Sequence, residues 1–237
     1  MAGSLSADLQ GIVHPEYALT REGGAGFAKT FETHCFVHFP EFLTASGLER
    51  FLGELACMRE HGVPHDLDTF GVWRSPRRFL AIGVETIRRV GTLIPALFAH
   101  QGIHDFLSGV TRSDVVPYRD PHEQMAVMIL RKEGDEYGAH RDEFPYAFNV
   151  CLKAPPEGAG GNLTYAPRRS TRRALSESGR EAPLRPGDAY CMHAGNSIHA
   201  VSALTREGCE RIMLSYAFAN AATAGAPSQS GLALFGG

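Results

Sequence analysis

Met125-Ala126-Val127-Met128-Ile129-Leu130-Arg131, closed by the turn residues Glu133-Gly134-Asp135, is the stretch from which the fold is read. It is a short apolar run bounded by turn chemistry, and the same pattern recurs downstream. The further runs are Ala147 to Leu152, Asn162 to Tyr165, Asp188 to Met192, Ile198 to Val201 and Arg211 to Ala219. Between them lie Ala154-Pro155-Pro156-Glu157-Gly158 and Arg185-Pro186-Gly187-Asp188, clusters whose Gly, Pro and Asp favour turns. Such a series predicts a mainly β core: a jelly roll or double-stranded β-helix, two short sheets making a tapered barrel with a mouth.

Upstream of residue 120 the reading is mainly helical, a buttress for the sheet. Ser46-Gly47-Leu48-Glu49 has the form of a capping box, and the helix it opens carries Leu48, Phe51, Leu52 and Leu55 on one face, with Gly62 as a stop. Cys35 to Phe39 reads as a short strand. Ile87, Val90, Ile94, Leu97 and Phe98 suggest another core-facing helix, which Pro95 must bend or split. We expect one domain over residues 1–237: a helical part to 120, a barrel over 121–219, and a Gly/Ala/Ser-rich end over 220–237. That end is a flexible tail or a lid over the mouth, and sequence alone favours the tail.

The chain of 237 residues, 43% hydrophobic, is long enough to bury a sizeable core. Its net charge of -3 gives no general reason to expect nucleic acid or an anionic membrane as partner. No run of about 18 apolar residues and no secretory pattern is present. Of 23 basic residues only Lys29, Lys132 and Lys153 are lysine, a bias we read as genomic. Five scattered cysteines with no C-x-x-C pair fit a reduced, cytoplasmic protein. Arg168-Arg169-Ser170-Thr171-Arg172-Arg173 is a basic loop that could meet phosphate, but an isolated charge run is usually a solvated face.

His140-Arg141-Asp142 is the densest chemical signal. On a strand end and its turn, side-chain alternation puts His140 and Asp142 on one side and points Arg141 away. Two imidazoles and a carboxylate make the facial set that holds Fe(II) and leaves positions open, so the third ligand must come from a distant strand. His199 is the candidate. Alone it reads as a core histidine bonded to backbone; beside His140 and Asp142 it reads as a ligand. His61 and His65 have i,i+4 spacing, but Gly62 and Pro64 break the helix that would aim both rings together. His193 lies in the loop before His199, either beside the site or in solvent. Arg211 pairs with Glu210 or Glu207 at a strand end, or else faces the interior with Met213 and Ser215, where a guanidinium needs an anion.

His140-Arg141-Asp142, then Gly160-Gly161-Asn162-Leu163, Pro186-Gly187-Asp188, His199-Ala200-Val201 and Arg211 together resemble the core of the Fe(II)/2-oxoglutarate-dependent dioxygenases, over about residues 124 to 219. Phe70-Gly71-Val72-Trp73-Arg74, His122-Glu123-Gln124-Met125 and the run from Tyr146 to Pro156 are similar to the bacterial group acting on free amino acids, which holds hydroxylases and halogenases. The resemblance implies Fe(II) on His140, Asp142 and His199, with 2-oxoglutarate and dioxygen as co-substrates, and Arg211 on the distal carboxylate of 2-oxoglutarate. The family often has Ser or Thr two residues after this arginine; here Met213 stands there and the serine comes at Ser215. Arg131 is the other cation considered for 2-oxoglutarate. Oxidative decarboxylation would then drive oxidation of a substrate C–H bond. In the related halogenases a small residue replaces the carboxylate ligand, so Asp142 implies hydroxylation, with desaturation or cyclisation starting from the same hydrogen abstraction.

An amino-acid substrate needs a cation for its carboxylate and acidic or polar groups for its ammonium. We expect Arg74, beside Trp73, in the first role and Glu123 and Glu143 in the second. The competing reading makes Arg74, Arg77 and Arg78 a solvated cluster and both glutamates surface residues. Tyr137, Phe144 and Tyr146 either wall the pocket or pack the rim. The other function class is a cupin-like barrel that binds metal without turnover, or an oxygenase of a protein or nucleic acid; the oligomeric state is left open.

Overall fold

The computed structural model describes residues 9–71, 74–223, 231 and 233–234. In chain order the described elements run α1 (Arg21–Ala25), α2 (Ala28–His34), β1 (Phe36–Phe39), α3 (Ala45–Ala56), β2 (Val63–Phe70) and β3 (Ser75–Ile82). Three helices follow, α4 (Val84–Val90), α5 (Leu93–Ala99) and α6 (Gln101–Thr111). The rest is β4 (Val115–Pro117), β5 (Met125–Leu130), β6 (Glu136–His140), β7 (Tyr146–Lys153), β8 (Leu163–Pro167), α7 (Arg172–Ser178), β9 (Arg180–Ala182), β10 (Ala189–Met192), β11 (Ser197–Val201) and β12 (Arg211–Asn220).

All pairings are antiparallel, in the order β1-β10-β7-β12-β5-β3-β6-β11-β8-β9. β3 turns the corner: Leu80 to Ile82 pair with β5, whereas Arg77 and Arg78 pair with Tyr137 and Glu136 of β6. The two ends of this order meet through side chains, Phe36 of the edge strand β1 stacking on Tyr165 of β8, next to the edge strand β9, at 4.5 Å. The result is a nearly closed jelly-roll barrel with flanking helices.

Alternation along β12 shows why the barrel has a polar inside. Ile212, Leu214, Tyr216 and Phe218 face out into the core under the helices. Arg211, Met213 and Ser215 face in, as the period of two requires. The helices cover the outer face with Phe51 and Leu55 of α3 and Phe106 of α6, and Tyr216 donates its hydroxyl to Ile94 O of α5 at 2.9 Å.

Several expected boundaries move, α3 ending at Ala56 and not at Gly62, and three of the shifts have a plain local reason. α3 starts at Ala45 and not after Ser46, because the Thr44 hydroxyl accepts Gly47 N–H at 2.9 Å and is the cap. The helix expected across Ile87 to Phe98 breaks at Gly91 and Thr92, not at Pro95. Pro95 falls in the first turn of α5, where a missing N–H costs nothing, while Glu54 accepts the amides of Thr92, Leu93 and Ile94. Cys35 caps α2 in the left-handed region, so β1 begins at Phe36. The larger correction is the hairpin of β2 and β3, which the mainly helical reading missed. β2 is an edge strand with no buried residue and therefore no apolar alternation to read.

Candidate active site

The barrel encloses a cavity of about 780 Å³. His140 ends β6, Asp142 follows it in the turn, and His199 lies opposite His140 in the β11–β6 register. Their ligand atoms lie within 4.8 Å of one another. His140 Nε2 is 3.4 Å from Asp142 Oδ1, and His199 Nε2 is 3.7 Å from Asp142 Oδ2.

Both imidazoles are oriented the same way. His140 Nδ1 donates to Gly138 O at 2.8 Å and His199 Nδ1 to Ser197 O at 3.0 Å, which turns each Nε2 towards the carboxylate. His140 Nε2 is buried with no hydrogen-bond partner, the state expected of a metal ligand's donor atom. Burial, with His199 adding to it, pushes His140 down to about 4, so its ring is neutral at pH 7. Burial acts to raise the Asp142 carboxyl, yet His199, His140 and Arg77 hold it below its ordinary value. Two imidazole nitrogens and one carboxylate fit a divalent iron and leave room for exchangeable ligands.

Arg211 is buried and lines the cavity, and among the described residues its side chain has no ion pair or hydrogen bond. Glu210 points elsewhere, taking Arg59 and Lys153 as partners. Gly160-Gly161 explains its place beside this arginine. Gly161 has φ +72°, and a Cβ there would meet Pro155, Leu204 and Arg211 Cδ at 3.0, 3.2 and 3.4 Å. Ser215, Asn149 and Tyr190 line the same cavity.

The other expected residues divide. Glu123 is buried and lines the cavity; Glu143 is exposed and borders its mouth. Arg74 is exposed, outside the cavity lining, and Trp73 lies outside the described residues. Arg131 is also exposed and away from the cavity, its amide bonded to Asp135. Arg141 is exposed, though it too borders the mouth. Tyr137 and Phe144 wall the cavity, whereas Tyr146 packs against Phe31 and His193. His193 is half-buried at the wall, with Nδ1 unpartnered.

Sequence reading missed Arg77. It is 3% exposed, lines the cavity, and lies over the Tyr137 ring with 4.4 Å to the centroid. The alternation Ser75, Arg77, Phe79 on β3 carried the signal: these three are buried while Arg78 points out to Asp66, Asp68 and Glu136. The supposed cluster of three arginines is split by the pleat. Near the mouth, Ala233 and Leu234 complete the lining, and His65 Nε2 lies 2.9 Å from Leu234 O.

The barrel, its His-Asp-His site and a family-model match over most of the chain together define an oxygenase of the Fe(II)/2-oxoglutarate superfamily, an enzyme class using Fe(II), 2-oxoglutarate and dioxygen. The family model for Halogenase D matches residues 19–230, and the chain belongs to that family. Among solved structures it is similar to the α-ketoglutarate-dependent epimerase SnoN of nogalamycin biosynthesis, at 18% identity, TM-score 0.65 and 84% coverage of each chain. It is also similar to a prolyl hydroxylase from Trichoplax adhaerens (12%, TM-score 0.66, 88% of this chain and 94% of that one) and to a 2OG-Fe(II) oxygenase from Burkholderia pseudomallei (14%, 0.60, 83% and 90%). Among curated proteins none matches. Among the described residues no helix is long and apolar enough to cross a membrane.

Proposed function

We propose that this chain hydroxylates a C–H bond of a small molecule, most simply a free amino acid or a derivative of one. The observation that carries the reaction type is Asp142, whose carboxylate faces both imidazoles where the halogenases that this chain resembles carry a small residue. His140 and His199 would hold Fe(II) through Nε2 and Asp142 through its carboxylate. Iron so held supplies oxidation driven by decarboxylation of 2-oxoglutarate. Arg211 binds the distal carboxylate of 2-oxoglutarate in bidentate fashion, with Ser215 on the same face of β12.

The remaining cavity charges suit an amino acid. Arg77, and not the exposed Arg74, is the cation for the substrate carboxylate; Glu123 and Glu143 take the ammonium. A volume of about 780 Å³ suits a small ligand. Ala233 and Leu234 at the mouth support a lid role for the chain end, which favours a small molecule over a protein or nucleic acid. Five free cysteines support a reducing compartment such as the cytoplasm.

The test is turnover with Fe(II), 2-oxoglutarate, ascorbate and a panel of amino acids in high chloride. Succinate release should depend on one or a few amino acids, and the product mass should show added oxygen. A chlorinated product from the unaltered protein would sink the hydroxylase reading; no amino-acid dependence would sink the substrate class.

A further inference from the structure

The carbonyl that orients His140 is shared. Gly138 O accepts His140 Nδ1 at 2.8 Å, and it also accepts Arg77 Nη1 at 3.1 Å. The same Nη1 donates to Ser75 Oγ and to Pro76 O, each at 2.8 Å, and Ser75 Oγ donates onward to Ala139 O at 2.6 Å. Two consecutive carbonyls of β6, directly before the candidate ligand, are thus clamped from β3. The strands approach closely enough that a Cβ on Gly138 would lie 2.7 Å from Pro76 Cδ and 2.9 Å from its backbone N and O. The rings continue the contact: Tyr137, under the guanidinium, is 4.2 Å from the His140 ring, and His140 is 4.1 Å from His199.

A buried cation beside a site for a dication is unfavourable by Coulomb's law. Among the described residues no carboxylate pairs with Arg77; neutral acceptors and an aromatic face hold it. We infer that Arg77 is a positioning residue for the iron centre, holding the Gly138 carbonyl and through it the tautomer and ring orientation of His140. The inference rests on the reading of His140, Asp142 and His199 as iron ligands. It concerns the strand-facing Nη1 and is separate from any substrate contact.

The test uses the whole metal-free protein titrated with Co(II) as a spectroscopic probe, with neither 2-oxoglutarate nor amino acid present. Arg77→Gln should weaken Co(II) binding by about tenfold, as loss of support behind a ligand does, and should shift the visible ligand-field bands. Ser75→Ala, which keeps the charge but removes one acceptor of Arg77 and the bond to Ala139 O, should weaken binding by a smaller factor with a shift of the same bands. Circular dichroism of each metal-free variant checks the fold, and Ser75→Ala carries the test if Arg77→Gln does not fold. Folded variants that bind Co(II) with wild-type affinity and spectrum would overturn the positioning role alone. A wild type that binds no Co(II) would overturn the ligand assignment and this inference with it.

Discussion

His199 is the residue on which the metal reading turns, because it comes from a strand almost sixty positions beyond His140 and meets it only through the β11–β6 register. His199→Ala should abolish turnover and weaken Fe(II) binding while leaving the metal-free fold intact, since the ring faces a cavity and not packed core. Calorimetric Fe(II) titration and circular dichroism check this; normal iron binding with turnover rejects the triad. Arg211 is the second residue-scale case. Loss of a charge-assisted bidentate pair with a buried partner costs roughly 2–5 kcal/mol. Arg211→Ala should therefore raise the apparent KM for 2-oxoglutarate about tenfold or more, and an unchanged constant would assign the anion to another cation.

At the scale of elements, the entry to β12 is tied down by Glu210, which takes Lys153 at the end of β7 and Arg59 from the turn before β2. Burial acts to raise this carboxyl, but Arg59 and Lys153 hold it below its ordinary value. A carboxylate with a depressed folded pKa stabilises the fold above its unfolded pKa and loses that contribution as pH falls through the folded one. Glu210→Gln should be less stable than wild type at pH 7, and the two should converge in acid below the ordinary carboxylate range. Urea denaturation at both pH values measures the gap, and a gap that does not narrow in acid refutes the pairing's role. The element that matters most to the site is β3, since its bend joins the two sheets and places Arg77 inside and Arg78 outside.

For the whole molecule, the cavity lining joins the barrel to Ala233 and Leu234. Leu234 is 4% exposed, borders the cavity, and accepts a bond from His65 on the hairpin. Deleting residues 224–237 should raise the apparent KM for the amino acid and release succinate without matching product, with KM for 2-oxoglutarate unchanged. Coupled turnover at wild-type constants in the truncated protein would leave the end as a tail.

The order His140, Asp142, Gly160-Gly161, His199, Arg211 and the apolar runs of β5, β7, β10 and β12 were legible in sequence, because short apolar runs and turn chemistry are local properties of the chain. The runs and turns carried the barrel and the motif order carried the grouping of His140, Asp142 and His199, whereas Arg211 was left between Glu210 or Glu207 and the interior. Which of Arg74, Arg77 and Arg78 enters the cavity was decided only by tertiary structure, as was the exposure of Arg131 and the existence of the β2–β3 hairpin. β3 pairs with β5 and β6, strands some fifty residues later, and an exposed edge such as β2 has no hydrophobic face to print on its sequence. An arginine carries the same local signal whether the pleat turns it to water or to an iron site; only the distant strand it pairs with chooses the side.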